Sequence, residues 1–154
     1  LVLKGSASFG LGSRLIIEPN GSLELGSNFN MTAYSTITCW NSITFGNDCL
    51  VSWGIHVADT DFHYTINPET KEYYSPYGSV VIGNGVWIGM RSTILKNSSI
   101  PDGCIIGANS LVNKRFDVKN SLIAGNPAVI KKTNIRLAQK GESPEIWPMK
   151  KIFK

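Results

Sequence analysis

The sequence predicts an all-β protein, a parallel β-helix in which short strands coil around one core, and three observations support this. From Ile82 onward an aliphatic residue returns at every sixth position: Ile82, Ile88, Ile94, Ile100, Ile106, Val112, Val118, Ala124 and Ile130. Turn-forming residues follow several of them: Gly83, Gly89, Pro101, Gly107 and Gly125. Small side chains lie four positions after others: Ser92, Ser98, Cys104, Ser110 and Ala128. A period of six fits neither an α-helix nor an ordinary alternating strand, but it is typical of hexapeptide β-helix repeats.

The first part of the chain carries the same repeat less regularly. The step between core positions is six within two runs and eight between the runs: Leu25, Met31, Ile37, then Phe45, Val51, Val57. Insertions at turns leave stacked strands intact, so we predict one turn that is two residues longer than the others.

A stretch after His63 interrupts the pattern. It is polar, rich in tyrosine and contains two prolines, Pro68 and Pro76. We predict a loop at about 64–80 that leaves the coil. Long loops inside compact repeat folds are usually functional.

Composition fits one β-helix domain over residues 1–130 and a basic C-terminal tail over 131–154, in which we predict a short helix around 135–139. The tail has seven Lys/Arg and two Glu and carries +5, whereas the rest of the chain carries −1, which gives the net charge of +4. A basic tail can meet phosphate, nucleic acid or a membrane, or it can simply be solvated. We favour solvation for most of it and expect no nucleic-acid partner. No apolar run approaches the roughly 20 residues that span a bilayer, so no integral membrane segment is expected.

The three cysteines, Cys39, Cys49 and Cys104, have neither metal-like nor disulfide-like spacing. We expect reduced thiols packed in the core of a cytoplasmic protein. A nucleophilic cysteine is the alternative.

Three segments resemble one family: Gly-Val-Trp-Ile-Gly at 85–89, Ile-Gly-Ala-Asn-Ser at 106–110 and Ala-Gly-Asn-Pro-Ala at 124–128. They are similar to the hexapeptide-repeat acyltransferases, in particular the branch that acetylates sugars and capsular polysaccharides. The resemblance covers about residues 25–132. It implies a left-handed β-helix, a homotrimer with active sites between subunits, and acetyl-CoA as co-substrate.

The resemblance places the catalytic base at His63, which ends the segment Asp-Thr-Asp-Phe-His at 59–63, and His56 is the alternative. Histidine suits proton removal from a hydroxyl because its ordinary pKa is about 6.5. Asp61 and Asp59 are candidates for orienting the imidazole, and a backbone carbonyl would serve equally. Four residues are expected to meet the acceptor: His56, Asp59, Tyr64 and Tyr74.

The same resemblance assigns the coenzyme site. It implies backbone amide contacts at Met90 and Ala108, and places Asn113 and Lys114 at a further coenzyme position. Lys131 and Lys132 would meet the phosphates, or would serve solubility alone. Trp87 is either a wall of the site or a structural residue.

We therefore predict an O-acetyltransferase that acts on a saccharide hydroxyl by direct attack. The alternatives on this fold are acetylation of a nucleotide-sugar amine or of an antibiotic. A zinc lyase of the γ carbonic anhydrase type needs three histidine ligands, and the chain has two histidines, so no metal is expected. A non-catalytic scaffold is a further alternative. The expected location is the cytoplasm, at the inner membrane surface if the acceptor is lipid-linked.

Overall fold

The computed structural model describes residues 1–139 and 141–142, which form nineteen strands, numbered in chain order, and no helix. Sixteen of the strands wind into a parallel β-helix with three faces, and the last strand joins one face in the antiparallel direction. In each coil the chain passes along face 1, then face 2, then face 3. We name the corners between them the 1–2, 2–3 and 3–1 corners.

Face 1 contains β1 (Val2–Leu3), β4 (Ser22–Leu25), β7 (Ser42–Phe45), β12 (Ser79–Ile82) and β15 (Ser99–Ile100). Face 2 contains β2 (Ala7–Phe9), β5 (Phe29–Met31), β8 (Leu50–Val51), β13 (Trp87–Ile88), β16 (Ile105–Ile106), β18 (Ser121–Gly125) and β19 (Ala128–Thr133). Face 3 contains β3 (Arg14–Ile17), β6 (Thr36–Cys39), β9 (His56–Ala58), β14 (Thr93–Ile94) and β17 (Leu111–Val112). The remaining pair, β10 (Thr65–Ile66) and β11 (Tyr73–Tyr74), forms a separate antiparallel hairpin.

Strand register fixes the length of each coil. Ile82 pairs with Ile100, 18 residues later, as three hexads require. Thr36 pairs with His56, 20 residues later, so this coil carries the two additional residues that the sequence predicts. The longer coils keep the parallel pairing, which confirms that the insertions lie in turns.

The repeating aliphatic side chains point inward and form one core. From Ile82 to Val112 each of them is at most 1% exposed. The prediction is wrong for the end of the series, because Val118 is 40% and Ile130 37% exposed. Phe116 enters the core instead, and Leu122 pairs with Ile105 after only 17 residues, so the period of six ends before β18. The antiparallel pair of β18 and β19 then closes this end.

The small residues of the repeat lie at corners where coils touch. Ser92 is fully buried, and its hydroxyl donates to the Gly107 carbonyl at 2.9 Å and accepts from the Ser110 N–H at 3.3 Å. A larger side chain would separate the coils, so the packing explains why small residues recur here.

The tail does not form the predicted helix over 135–139. The Ile135 N–H donates to the Asn120 carbonyl at 2.8 Å, and both Arg136 nitrogens contact the Glu142 carboxylate at 2.7 and 2.8 Å. Residues 135–139 form neither helix nor strand, and the contact with Asn120 holds them at the 1–2 corner. The predicted boundary between residues 130 and 131 falls inside β19, and the division into domain and tail stays a prediction. The rest of the tail lies outside the described residues.

Candidate active site

The chain leaves the coil at the 3–1 corner and returns to it after an excursion over residues 60–78. The two legs of the excursion meet at its base, where the Gly78 N–H donates to the Asp59 carbonyl at 2.9 Å and Thr60 forms an antiparallel bridge with Tyr77. The hairpin of β10 and β11 lies farther out, and its strand residues are exposed. The excursion interrupts the coil without disturbing it, because β12 still pairs with β7 in parallel.

Asp59 holds the start of the excursion. Its side chain is completely buried, and its oxygens accept the N–H groups of Trp40 at 2.7 Å and Asn41 at 2.8 Å. The thiol of Cys39 donates to the same carboxylate at 3.5 Å. This placement argues against the predicted contact with an acceptor and against an orienting role on His63. Asp59 therefore joins its own coil to the preceding one.

Aromatic rings pack around the base of the excursion. The ring of Trp40 lies 5.6 Å from that of Phe62, edge to face, and 6.4 Å from that of Tyr77, stacked. Tyr64 meets Tyr77 edge to face at 6.2 Å. Phe62 has a φ of 65°, a conformation that costs a bulky residue of the order of 1–3 kcal/mol. The packing of its ring against Trp40 offsets this cost and fixes the residue before His63.

His63 is exposed at the start of the excursion, and its backbone is anchored to Asp61. The His63 N–H donates to the Asp61 carbonyl at 2.8 Å, and the Asp61 N–H donates to the Pro76 carbonyl at 2.9 Å. The Asp61 carboxylate is not directed to the imidazole but forms an ion pair with Lys96 at 2.7 Å. Within residues 1–139 and 141–142, no hydrogen bond involves the imidazole of His63 or His56, so both rings are available to a substrate.

His56 lies on face 3, in β9, where it pairs with Thr36 on one side and Thr93 on the other. Its side chain is exposed. It belongs to the same coil as His63 but sits on the coil wall, whereas His63 lies on the excursion.

The two residues that are predicted to bind the coenzyme through backbone amides lie at the 2–3 corner. Met90 follows β13 and Ala108 follows β16, one coil later, and both residues are exposed. In the part of the chain that the structure describes, the N–H of neither residue donates to a protein acceptor, although the Met90 carbonyl accepts from Asn109 at 2.9 Å. A Cβ on Gly89 would meet the Ala108 nitrogen at 2.8 Å, so glycine here lets the coils approach. Two free N–H groups one coil apart can bind an extended ligand that carries amides.

A surface pocket of about 350 Å³ continues this corner toward the N-terminal coils. It is lined by Tyr34, Trp53, Gly54, Met90 and Arg91. Its two exposed aromatic residues, Tyr34 and Trp53, are not among the residues predicted from the sequence. They occupy corner positions, where the repeat usually has small residues. Large aromatic residues at such positions are the feature of the sequence that could have indicated a pocket.

The remaining coenzyme candidates are spread over the molecule. Trp87 is half-buried on face 2, and its indole N–H donates to the Ser52 hydroxyl at 3.1 Å. Lys131 and Lys132 are exposed on β19 of the same face. Asn113 and Lys114 follow β17 and so lie at the 3–1 corner, with the Lys114 nitrogen 5.4 Å from the Phe116 ring. One copy of the chain therefore places its coenzyme candidates on face 2 and at two corners. Of these candidates, Asn113 and Lys114 share the 3–1 corner with His63.

Covalent catalysis by cysteine is disfavoured by burial. Burial raises the pKa of the Cys39 thiol to about 12 and the pKa of the Cys49 thiol to about 11. Burial also raises the pKa of the Cys104 thiol. A thiol attacks as its thiolate, which these surroundings suppress. Among the described residues, no group of three or more His, Cys, Asp or Glu side chains could hold a metal ion.

The fold and this site define a class of protein, the β-helical acyltransferases, and comparison with known proteins identifies the family. A family model described as bacterial transferase hexapeptide (six repeats) matches residues 79–114. WbbJ of Escherichia coli K12, assigned to lipopolysaccharide biosynthesis as an O-acetyl transferase, is 32% identical over 136 residues, which cover 81% of this chain and 68% of WbbJ. The chain belongs to the hexapeptide-repeat acyltransferase family.

Solved structures agree on the fold. A hexapeptide-repeat acetyltransferase from Vibrio cholerae complexed with acetyl-CoA has a TM-score of 0.68 at 18% identity, over 84% of this chain and 68% of that chain. A galactoside acetyltransferase in complex with coenzyme A has a TM-score of 0.67 at 22% identity, over 90% of this chain and 72% of that chain. The predictions of the family, of its acyltransferase class and of the left-handed β-helix are confirmed.

The chain spans different shares of its curated relatives, from 68% of WbbJ down to 24% of others. The described residues contain no helix that is long and apolar enough to cross a membrane.

Proposed function

We propose that this chain transfers an acetyl group from acetyl-CoA to a hydroxyl of a saccharide that enters a surface polysaccharide, with His63 as general base. The observation that carries the proposal is the fixed backbone and free imidazole of His63. Its N–H is held by Asp61 at 2.8 Å, and the ring before it packs on Trp40 at 5.6 Å. The polysaccharide acceptor is supported by the similarity to WbbJ, whose name refers to lipopolysaccharide.

The reaction needs one proton transfer in each direction. The imidazole of His63 takes the hydroxyl proton as the oxygen attacks the thioester carbonyl, and it returns a proton to the sulfur as the carbon–sulfur bond breaks. A positioned base of this kind contributes typically 10²–10⁴-fold to the rate. A backbone N–H of the turn after β13, such as that of Met90, is free to stabilise the oxygen that becomes negative.

The 2–3 corner suits the coenzyme. Pantetheine carries amide groups, and the free N–H of Ala108 lies one coil beyond that of Met90, so it can bind the coenzyme arm while Met90 faces the thioester. The cations of Lys131 and Lys132 lie farther toward the C-terminal end, on β19, where phosphates would be placed. The thioester would then lie toward Met90 and the aromatic pocket with Trp53. The acceptor would enter between that pocket and the tyrosines of the excursion, including Tyr64 and Tyr74.

We further propose that each active site forms between two chains of a homotrimer. Face 3 separates the 2–3 corner from the 3–1 corner, so one chain does not bring Met90 to His63 along its own surface. In a trimer whose threefold axis runs parallel to the axis of the β-helix, the same residue of each chain lies at the same level along that axis. Trp53 and His56 belong to the same coil, after which the excursion begins. His63 of the partner subunit would therefore arrive at the height of the aromatic pocket.

The test is coenzyme A release from acetyl-CoA with a panel of neutral, acidic and amino sugars. We expect His63→Ala to reduce turnover by at least about 10²-fold and His56→Ala to retain most of it. Acetyl-CoA should still raise the melting temperature of both variants. Turnover that survives His63→Ala would overturn the base assignment, and turnover confined to amino sugars would shift the acceptor to an amine.

We place this activity in the cytoplasm. The three cysteines are free and buried, which fits a reducing compartment. If the acceptor is lipid-linked, the enzyme would work at the inner membrane surface, and turnover with lipid-linked but not free saccharide would support that placement.

A further inference from the structure

We propose that Lys96 is a positioning residue for His63: it clamps both legs of the excursion and thereby holds the catalytic backbone in place. The inference rests on the proposed role of His63. Lys96 follows β14 at the 3–1 corner, one coil after the point where the excursion leaves.

The ammonium group of Lys96 contacts both legs at once. Its nitrogen lies 2.7 Å from Asp61 Oδ2 on the outgoing leg and donates to the Ser75 carbonyl at 2.8 Å on the returning leg. The Lys96 side chain is only 20% exposed, so these contacts are partly shielded from water. A long side chain held by two partners is more ordered than one in a single exposed ion pair.

The clamp reaches His63 through the backbone of Asp61. Three groups of Asp61 are in use: its carboxylate binds Lys96, its N–H binds the Pro76 carbonyl, and its carbonyl accepts the His63 N–H. Asp61 therefore acts on the base by fixing its main chain, not by a carboxylate–imidazole hydrogen bond. Asp61 is predicted from the sequence as a partner of the base, whereas Lys96 is not.

The excursion is held from two neighbouring coils. Trp40, from the preceding coil, packs on Phe62 and Tyr77. Lys96, from the following coil, binds Asp61 and Ser75. The hairpin beyond them is exposed, so the position of His63 depends on these few contacts at the base.

The experiment compares Lys96→Met and Lys96→Arg with a variant of a second ion pair elsewhere on the β-helix. The Lys119–Asp102 ion pair has the same 2.7 Å separation but lies on the surface at the 1–2 corner, so Lys119→Met removes an equivalent charge away from the site. Displacement of a catalytic group by 1 Å can cost up to about 10²-fold in rate, and we expect Lys96→Met to lower kcat by about tenfold or more. The KM for acetyl-CoA and the melting temperature should change no more than in Lys119→Met. Lys96→Arg should recover part of kcat, because guanidinium also binds a carboxylate.

Two results would overturn the clamp. One is an unchanged kcat in Lys96→Met while His63→Ala abolishes turnover. The other is an equal loss in Lys119→Met, which would make the effect one of general charge or stability. If His63→Ala itself retains turnover, the proposed function fails instead, so the two failures are distinguishable.

Discussion

The regular coils from β12 to β17 and the excursion over 60–78 are built on different interactions. In the coils, each hexad buries one aliphatic side chain. Each strand is hydrogen-bonded to one strand of the coil before it and one strand of the coil after it, except at the ends. The excursion has a two-stranded hairpin whose strand residues are exposed, and it is fixed mainly at its base. Stability therefore resides in the coils, whereas the candidate base is supported by a small set of polar and aromatic contacts. A substitution in the coils should mainly change stability, and a substitution in the excursion should mainly change activity.

The largest contrast is expected between two isoleucines. Ile88 is completely buried in the coil core, whereas Ile66 is 43% exposed in the hairpin. Ile88→Ala should lower the free energy of unfolding by about 2–5 kcal/mol, because it leaves a cavity. Ile66→Ala should change it by less than about 0.5 kcal/mol. Urea unfolding at one fixed protein concentration measures both, and equal losses would break the distinction.

The next effect tests the junction between the regions. Asp59→Ala leaves the partly buried N–H groups of Trp40 and Asn41 without their acceptor. We expect a loss of about 1–3 kcal/mol in unfolding free energy, since buried unpaired donors are costly. Asp59→Asn, which retains one acceptor oxygen, should lose less. An Asp59→Ala protein of normal stability but raised KM for the acceptor would restore the substrate role that the sequence suggested.

A smaller effect should fall on substrate binding alone. Tyr74 is exposed on β11, so Tyr74→Ala should leave the melting temperature unchanged. If its ring stacks on a sugar, the KM for the acceptor should rise about two- to tenfold, as expected for one aromatic contact. Tyr74→Phe, which keeps the ring, is the matched control. A change in the KM for acetyl-CoA instead would place the ring beside the coenzyme.

The smallest effect concerns a charge on the coil surface. Hydrogen bonds from Lys119 and from the Asn84 N–H lower the pKa of Asp102. A lowered native pKa stabilises the fold at pH values above the ordinary carboxyl range, and this contribution is lost as the pH falls through the native pKa. Asp102→Asn should therefore cost at most about 1 kcal/mol at pH 7 and less in acid, with turnover unchanged. A constant loss at all pH values would show that the charge is irrelevant.

The sequence predicts the regular coils better than it predicts the surroundings of the excursion. The six-residue period specified the core from Ile82 to Val112, because each repeat has only one geometry in which its aliphatic residue is buried. It failed at Val118 and beyond, since a chain end needs a cap and not another coil. Around the site, the family motifs point to His63 as the base, which stays a prediction. They could not reveal Lys96, because its contacts join residues from two coils. Asp59 was misleading for a similar reason: its burial depends on Trp40 and Asn41 in the preceding coil.

If His63 of one chain works with the 2–3 corner of another, as we propose, subunit mixing should restore activity to two inactive variants. His63→Ala removes the base, and Ala108→Trp blocks the coenzyme corner, so each variant alone should be inactive. In trimers assembled from equal amounts of both, about a quarter of the sites would combine an intact base with an intact corner. We therefore predict that coenzyme A release recovers to about a quarter of the wild-type rate. No recovery, with mixed trimers demonstrated by two affinity tags, would mean that each site lies within a single chain.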